Sequence, residues 1–133
     1  MATSSLFSVS DPVELLALWR LVAEAKFQLS PEDNDLWGSP YVNALSQRLA
    51  DALLAVEKSR GDDEAVARHQ KWIGSLQNNA ALPAVKARLK QDASETWWRE
   101  KSTEQRNLYV RECIAPFVVD QVFLEELIRD AEA

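Results

Sequence analysis

The chain has 133 residues, a formal net charge of −6 and a hydrophobic fraction of 47%. This length fits a single domain, and the ordinary balance of hydrophobic and charged residues argues against disorder away from the ends. One histidine and one cysteine exclude zinc sites with two or more histidine ligands, CxxC redox pairs and an internal disulfide. The sequence also lacks the GxxxxGK[ST] and GxGxxG patterns of phosphate-binding loops.

Residues 1–10 contain no basic residue and no apolar run of signal-peptide length. We therefore expect a flexible lead-in to a cytoplasmic protein. The first predicted helix begins with Asp11 as its N-cap and Pro12 at its first position, and it runs to about Gln28. Apolar residues recur along it at helical spacing and predict one buried face. This face comprises Leu15, Leu18, Trp19, Val22 and Leu29.

An acidic segment follows, in which Ser30 and Pro31 end the first helix and Gly38 ends a short helical turn. Its acids are Glu32, Asp33 and Asp35. Their spacing is faintly that of a calcium-binding loop, but Trp37 and Ala44 occupy positions where an EF-hand needs oxygen ligands, so we exclude that site. The acids either stabilise the starts of neighbouring helices or belong to a partner-binding surface.

The middle of the chain contains three or four further predicted helices. Ser39, followed by a proline, starts a long helix that Gly61 terminates. Asp62 or Asp63 caps the next one, which we expect to run to the paired asparagines that follow it. Residues 83–101 then form either one helix or two, and the sequence pattern does not decide between them.

The most apolar stretch is Leu108 to Ile128, and we expect the rest of the fold to be organised around it. Ser102 and Gln105 form a capping-box pattern that starts a helix ahead of it. Pro116 predicts a kink or break near residue 115, with the proline in the first turn of a second helix. Charged residues interrupt the stretch too often for a membrane span. They are Arg111, Glu112, Asp120, Glu125 and Glu126.

These patterns predict an all-α protein, an irregular bundle of five to six helices with the last one kinked or broken at Pro116. We expect residues 1–133 to form one domain, because no linker, internal repeat or low-complexity segment occurs. The last helix presents a wide apolar face. If the first three helices left part of this face uncovered, a homodimer would cover the rest.

Residues 86–111 are basic in an otherwise acidic chain. The basic residues are Lys86, Arg88, Lys90, Arg99, Lys101, Arg106 and Arg111. Trp97 and Trp98 lie among them and allow two interpretations. In the first, one tryptophan faces the core and its neighbour is half covered. In the second, these tryptophans form a partner-binding hot spot together with Arg99, Lys101 and Arg106.

The missing chemistry favours a small acidic, non-catalytic protein that binds another protein as an inhibitor, an immunity-type protein or an adaptor. We expect no cofactor, no metal site and no contact with membranes. The acidic ends of the chain would steer the protein to a basic partner. The alternative is a nucleic-acid-associated helical protein that uses residues 86–111. A catalytic role for His69 would need a positioned nucleophile, and its sequence neighbours supply none.

Overall fold

The computed structural model describes residues 7–28 and 35–133. These residues form eight α-helices and a 3₁₀ turn, without a strand, so the predicted all-α irregular bundle is confirmed. There are more helices than the predicted five to six, partly because two of them are only four residues long. In chain order they are α1 (Pro12–Lys26), α2 (Asp35–Gly38), α3 (Pro40–Ser59), α4 (Asp63–Ile73), α5 (Leu82–Ala93), α6 (Thr96–Arg99), α7 (Thr103–Ile114) and α8 (Gln121–Glu132).

Side-chain caps set several helix starts where the sequence predicted them. The Asp11 carboxylate accepts a hydrogen bond from the amide of Val13 (2.8 Å) at the start of α1. Ser102 and Gln105 form the complete reciprocal capping box of α7. Each cap provides a partner for amides that the first turn leaves without one. Gly61 follows α3 with a φ of +69°, a left-handed conformation that glycine adopts without steric cost.

The segment that the sequence left undecided forms two helices, because α5 ends at Ala93 and α6 begins only at Thr96. The α6 N-cap is Glu95, and it makes no side-chain cap hydrogen bond. The Asp92 carboxylate is turned toward other helices, where it accepts hydrogen bonds from two aromatic side chains. Asp92 therefore connects helices instead of capping α6.

Helix α4 ends at Ile73, several residues before the predicted end. The Ser75 hydroxyl donates to the Trp72 carbonyl oxygen (2.6 Å), and the Asn79 side chain donates to that hydroxyl (3.1 Å). These bonds form a tight turn in which Leu76 is completely buried. Side-chain competition with the helical backbone thus explains the early end.

The helical stretch at the C-terminus is broken near Pro116 as predicted, but the place of the proline in the second helix was wrong. Pro116 follows a cis peptide bond and lies in the connection between α7 and α8. Helix α8 begins only after Asp120, whose carboxylate accepts from the amide of Phe123 (2.8 Å). The amide of Val118 donates to the carbonyl oxygen of Ile73 (3.0 Å), which ties the connection to the end of α4.

The main core lies where α8 packs against α5 and α7, and the apolar C-terminal stretch supplies about half of it. From that stretch the buried residues include Val110, Cys113, Ile114, Phe117, Leu124 and Leu127. A smaller core joins α1 to α3 through Leu15, Leu49 and Leu53. Of the predicted α1 face, Leu15 is fully buried, whereas Leu29 lies outside the described residues.

Some apolar side chains of the C-terminal stretch remain on the surface, including Leu108, Val118 and Val122. Part of the apolar face is therefore uncovered in a single copy, and the homodimer that would cover it stays a prediction. At the other end, Phe7 is exposed while Val9 packs against the smaller core. Within residues 7–28 and 35–133, no helix has the length and apolar character needed to cross a membrane.

Candidate functional site

A surface cavity of about 580 Å³ lies where five helices meet. We call it the aromatic pocket and define it by six of its lining residues. They are Trp37 on α2, Tyr41 on α3, Asp92 on α5, Trp97 on α6, Lys101 between α6 and α7, and Tyr109 on α7. Their positions span more than half of the chain, so the pocket depends on the tertiary fold.

Asp92 organises the floor of the aromatic pocket. One oxygen of its carboxylate accepts hydrogen bonds from Nε1 of Trp37 (2.9 Å) and from the hydroxyl of Tyr109 (2.8 Å). Burial raises the pKa of Asp92 above its usual value, although these two hydrogen bonds and the charge of Arg88 oppose the shift. Burial likewise raises the pKa of Tyr109. The two rings are thus fixed from two directions by a single acceptor, which makes the pocket preorganised.

Lys101 lies over two of the aromatic rings. Its ammonium nitrogen is 5.8 Å from the centroid of Trp97 and 5.6 Å from that of Tyr109. The two rings meet edge to face with their centroids 5.3 Å apart. At these distances the negative ring faces attract the ammonium group, so the cation is positioned at the wall of the pocket.

The adjacent tryptophans have different environments. Trp98 is 1% exposed and belongs to the main core, whereas Trp97 is 38% exposed and lines the aromatic pocket. This is the arrangement that the packing interpretation predicts, because neighbours on a helix point about 100° apart. Trp98 therefore does not belong to an accessible contact surface, and Trp97 is the tryptophan that a partner can reach.

Arg99 and Arg106 are also separated by the fold. Arg99 is exposed. Arg106 is partly buried and donates to the carbonyl oxygens of Trp98 (3.1 Å) and Arg99 (3.3 Å). It also lies 3.5 Å from a carboxylate oxygen of Glu132. Because one guanidinium thus connects α6, α7 and α8, Arg106 stabilises the fold more directly than it offers a contact to a partner.

Two other basic residues of the segment 86–111 have intramolecular roles. Arg88 is buried, and its charge opposes the rise in the pKa of Asp92 that burial causes. Arg111 donates to the carbonyl oxygen of Val119 (3.2 Å) and to the side chain of Gln121 (2.9 Å). The basic segment is therefore less available to phosphates than its composition indicates.

The predicted acidic residues of the segment before α3 are not placed by the structure. Glu32 and Asp33 lie outside the described residues. Asp35 is the first residue of α2, and the structure describes its backbone but not its side chain. Their assignment to a partner-binding surface stays a prediction.

His69 is buried on α4, with Nδ1 3.4 Å from a carboxylate oxygen of Glu57. Its ring centroid lies 5.2 Å from that of Trp19. The described residues that line the same cavity as His69 include no serine, threonine or cysteine, so none of the hydroxyl or thiol nucleophiles that a histidine base activates is found there. In the described ranges, moreover, no three His, Cys, Asp or Glu side chains are grouped to hold a metal ion.

Sequence reasoning missed four members of the aromatic pocket, namely Trp37, Tyr41, Asp92 and Tyr109. Trp37 and Asp92 are 55 positions apart, and helical periodicity carries no information about such contacts. A weak signal existed in Gly38, because a side chain there would approach the Tyr109 hydroxyl to 3.3 Å. Glycine beside an aromatic residue can mark close approach of another element.

Three comparisons with known proteins give no further assignment: no family model, no curated protein and no solved structure shows significant similarity to this chain.

Proposed function

We propose that this chain is a small non-catalytic protein that binds another protein through the aromatic pocket, as an inhibitor, an immunity-type protein or an adaptor. The observation that carries the proposal is the pairing of exposed aromatic side chains with a preorganised cavity. Tyr41 is 85% exposed and Trp97 is 38% exposed at the rim, while Asp92 fixes Trp37 and Tyr109 beneath them.

Tryptophan and tyrosine dominate the binding energy of many protein interfaces, because they bury a large area at a small cost in conformational entropy. A cavity beside such residues allows a partner side chain to be buried on binding. The hydrogen bonds to Asp92 reduce the cost further, because Trp37 and Tyr109 do not have to be ordered when the partner arrives. The exposed aromatic residues and the cavity thus support a binding role that needs no catalytic group.

The overall charge distribution supports a partner that carries a basic surface. Helix α8 carries exposed acids, among them Glu125, Glu126 and Asp130, and the net charge of the chain is −6. Opposite charges raise association rates and favour correct orientation. We also propose that the protein acts in the cytoplasm, where a single cysteine such as Cys113 stays reduced.

The nucleic-acid alternative has less support. Single-stranded nucleic acids need stacking rings and several free cations in one groove. Trp98 is in the core, and Arg88, Arg106 and Arg111 are engaged within the protein. Lys86, Lys90, Arg99 and Lys101 remain, interspersed with acids.

The test is an affinity capture from lysate of the source cells, carried out with and without nuclease and analysed by mass spectrometry. Wild-type protein is compared with Trp97→Ala and with a control, Leu21→Ala, which truncates an exposed apolar residue of α1. The proposal expects one protein that survives nuclease treatment and is lost with Trp97→Ala but not with Leu21→Ala. Loss of all captured proteins on nuclease treatment would favour the nucleic-acid function, and equal capture by all three baits would contradict the role of the pocket.

A further inference from the structure

The ammonium group of Lys101 has an unusual set of neighbours. It lies over the rings of Trp97 and Tyr109. Among the described residues no carboxylate lies within ion-pair distance of it. Asp92 lines the same cavity, where its carboxylate accepts hydrogen bonds from Trp37 and Tyr109. The charge of Lys101 is thus positioned but not neutralised by these neighbours.

The position of the Lys101 ammonium group strengthens its attraction for an anion relative to that of a fully exposed lysine. Lys101 is partly buried, and charge interactions strengthen as the surrounding medium becomes less polar than water. Its contacts with two rings reduce the freedom that a surface lysine would lose on binding. An anion that enters the cavity therefore meets a preplaced partner.

The neighbouring groups also exclude other classes of ligand. An organic cation would be repelled by Lys101, which already occupies the ring faces that would attract it. The Asp92 oxygen that faces Trp37 and Tyr109 already accepts two hydrogen bonds, and among the described residues Asp92 forms no ion pair with Lys101. What remains complementary is a negative group attached to a flat or apolar body that can pack against Trp97.

We infer that the aromatic pocket is a carboxylate-binding site, occupied by a carboxylate group of a peptide segment of the partner. This inference rests on the proposed function for its occupant, whereas the chemistry of the site stands on the cavity, the rings and Lys101. A carboxylate seated here fixes the register of the complex even where the rest of the partner's surface is basic.

The experiment uses benzoate as the probe and benzamide, its neutral counterpart of nearly the same shape, as the control ligand. Binding is followed through the ¹⁵N-labelled indole signal of Trp97, assigned with Trp97→Phe. A ligand of this size and ordinary efficiency binds with a Kd of about 10 mM, so titration to about 50 mM decides the outcome. We expect benzoate to shift the Trp97 indole signal in a saturable way. The affinity for benzamide should be at least about tenfold weaker.

Two variants test the role of Lys101 itself. Lys101→Gln should weaken benzoate binding about tenfold or more, and Lys101→Arg should retain it because the positive charge is kept. Lys86→Gln, an exposed lysine of α5 that does not line the pocket, is the matched control and should bind as wild type. Equal binding of benzoate and benzamide, unchanged binding by Lys101→Gln, or no saturable shift with benzoate would each overturn the inference.

Failure of this inference and failure of the proposed function have different signatures. A captured partner that depends on Trp97 but not on the charge of Lys101 would retain the function and reject the carboxylate site. Lys101-dependent benzoate binding without any captured protein would retain the carboxylate site and reject the function.

Discussion

Burial of the Lys26 ammonium group makes the stability of this fold depend on pH. Its side chain is 2% exposed, and its ammonium nitrogen donates to the carbonyl oxygen of Ala115 (2.6 Å). That carbonyl belongs to the C-cap of α7, so Lys26 connects α1 to the end of α7. Burial lowers the pKa of Lys26 from 10.5 to about 8, with the nearby thiol of Cys113 opposing the shift.

The sign of the pH dependence follows from this shift. Between pH 8 and 10.5 the unfolded chain still holds the Lys26 proton while the folded protein releases it, so the free energy of unfolding rises with pH. One pKa unit corresponds to about 1.36 kcal/mol, so the full contribution is about 3 kcal/mol. Burial raises the pKa of Cys113 from 9.0 to about 12, and this thiol acts in the opposite direction above pH 9.

The measurement is urea unfolding of wild type and Lys26→Met from pH 7 to pH 10.5, followed by tryptophan fluorescence. The Met variant leaves the Ala115 carbonyl without its partner, at a pH-independent cost of about 1–3 kcal/mol. Loss of the Lys26 charge raises the pKa of Cys113 further above its value of about 12, so the folded thiol stays protonated in both proteins over this range and its contribution largely cancels in the difference. We expect wild type to gain about 3 kcal/mol relative to Lys26→Met across this range. A constant difference would refute the account of a buried, desolvated lysine; the exposed Lys86→Met is the control and should show no pH-dependent difference.

Three further predictions concern stability and are checked by urea unfolding at pH 7. Trp98→Ala should lower the free energy of unfolding by about 3–5 kcal/mol because it empties a core site, whereas Trp97→Ala should cost less than half as much. Tyr109→Phe should cost about 1–2 kcal/mol, because it removes one hydrogen bond from the buried Asp92 carboxylate; an unchanged midpoint would show that this bond does not stabilise the pocket. Ser102→Ala should cost about 1 kcal/mol by removing the α7 cap, and a cost below about 0.3 kcal/mol would contradict that role.

Local signals in the sequence predicted most of the helical framework. Asp11, Ser102 and Gly61 act at short range, through hydrogen bonds to nearby amides or through backbone conformation, so their patterns are visible within a few residues. The break before Pro116 was predicted for the same reason. The start of α8 was not predicted. We expected the helix to begin at the proline, but it begins after Asp120, whose carboxylate caps it.

The candidate site was predicted only in part. Trp97 and Lys101 were identified from composition, and both line the aromatic pocket. Trp98 is in the core and Trp97 is at the surface, because neighbours on a helix point about 100° apart and the sequence did not show which of the two faces inward. Trp37 and Tyr109 were identified as pocket residues only from the structure, in which both donate hydrogen bonds to Asp92. Helical periodicity gives no information about contacts between α2, α5 and α7.

The most direct test of the central claim is the affinity of the captured partner for wild type and for Trp97→Ala, measured by isothermal titration calorimetry with Leu21→Ala as the control. Truncation of a hot-spot residue typically costs about 2 kcal/mol or more, equivalent to roughly a 30-fold increase in Kd. The account predicts a loss of this size for Trp97→Ala and a change of less than about twofold for Leu21→Ala. Equal affinities for wild type and Trp97→Ala would contradict the claim that the aromatic pocket is the binding site.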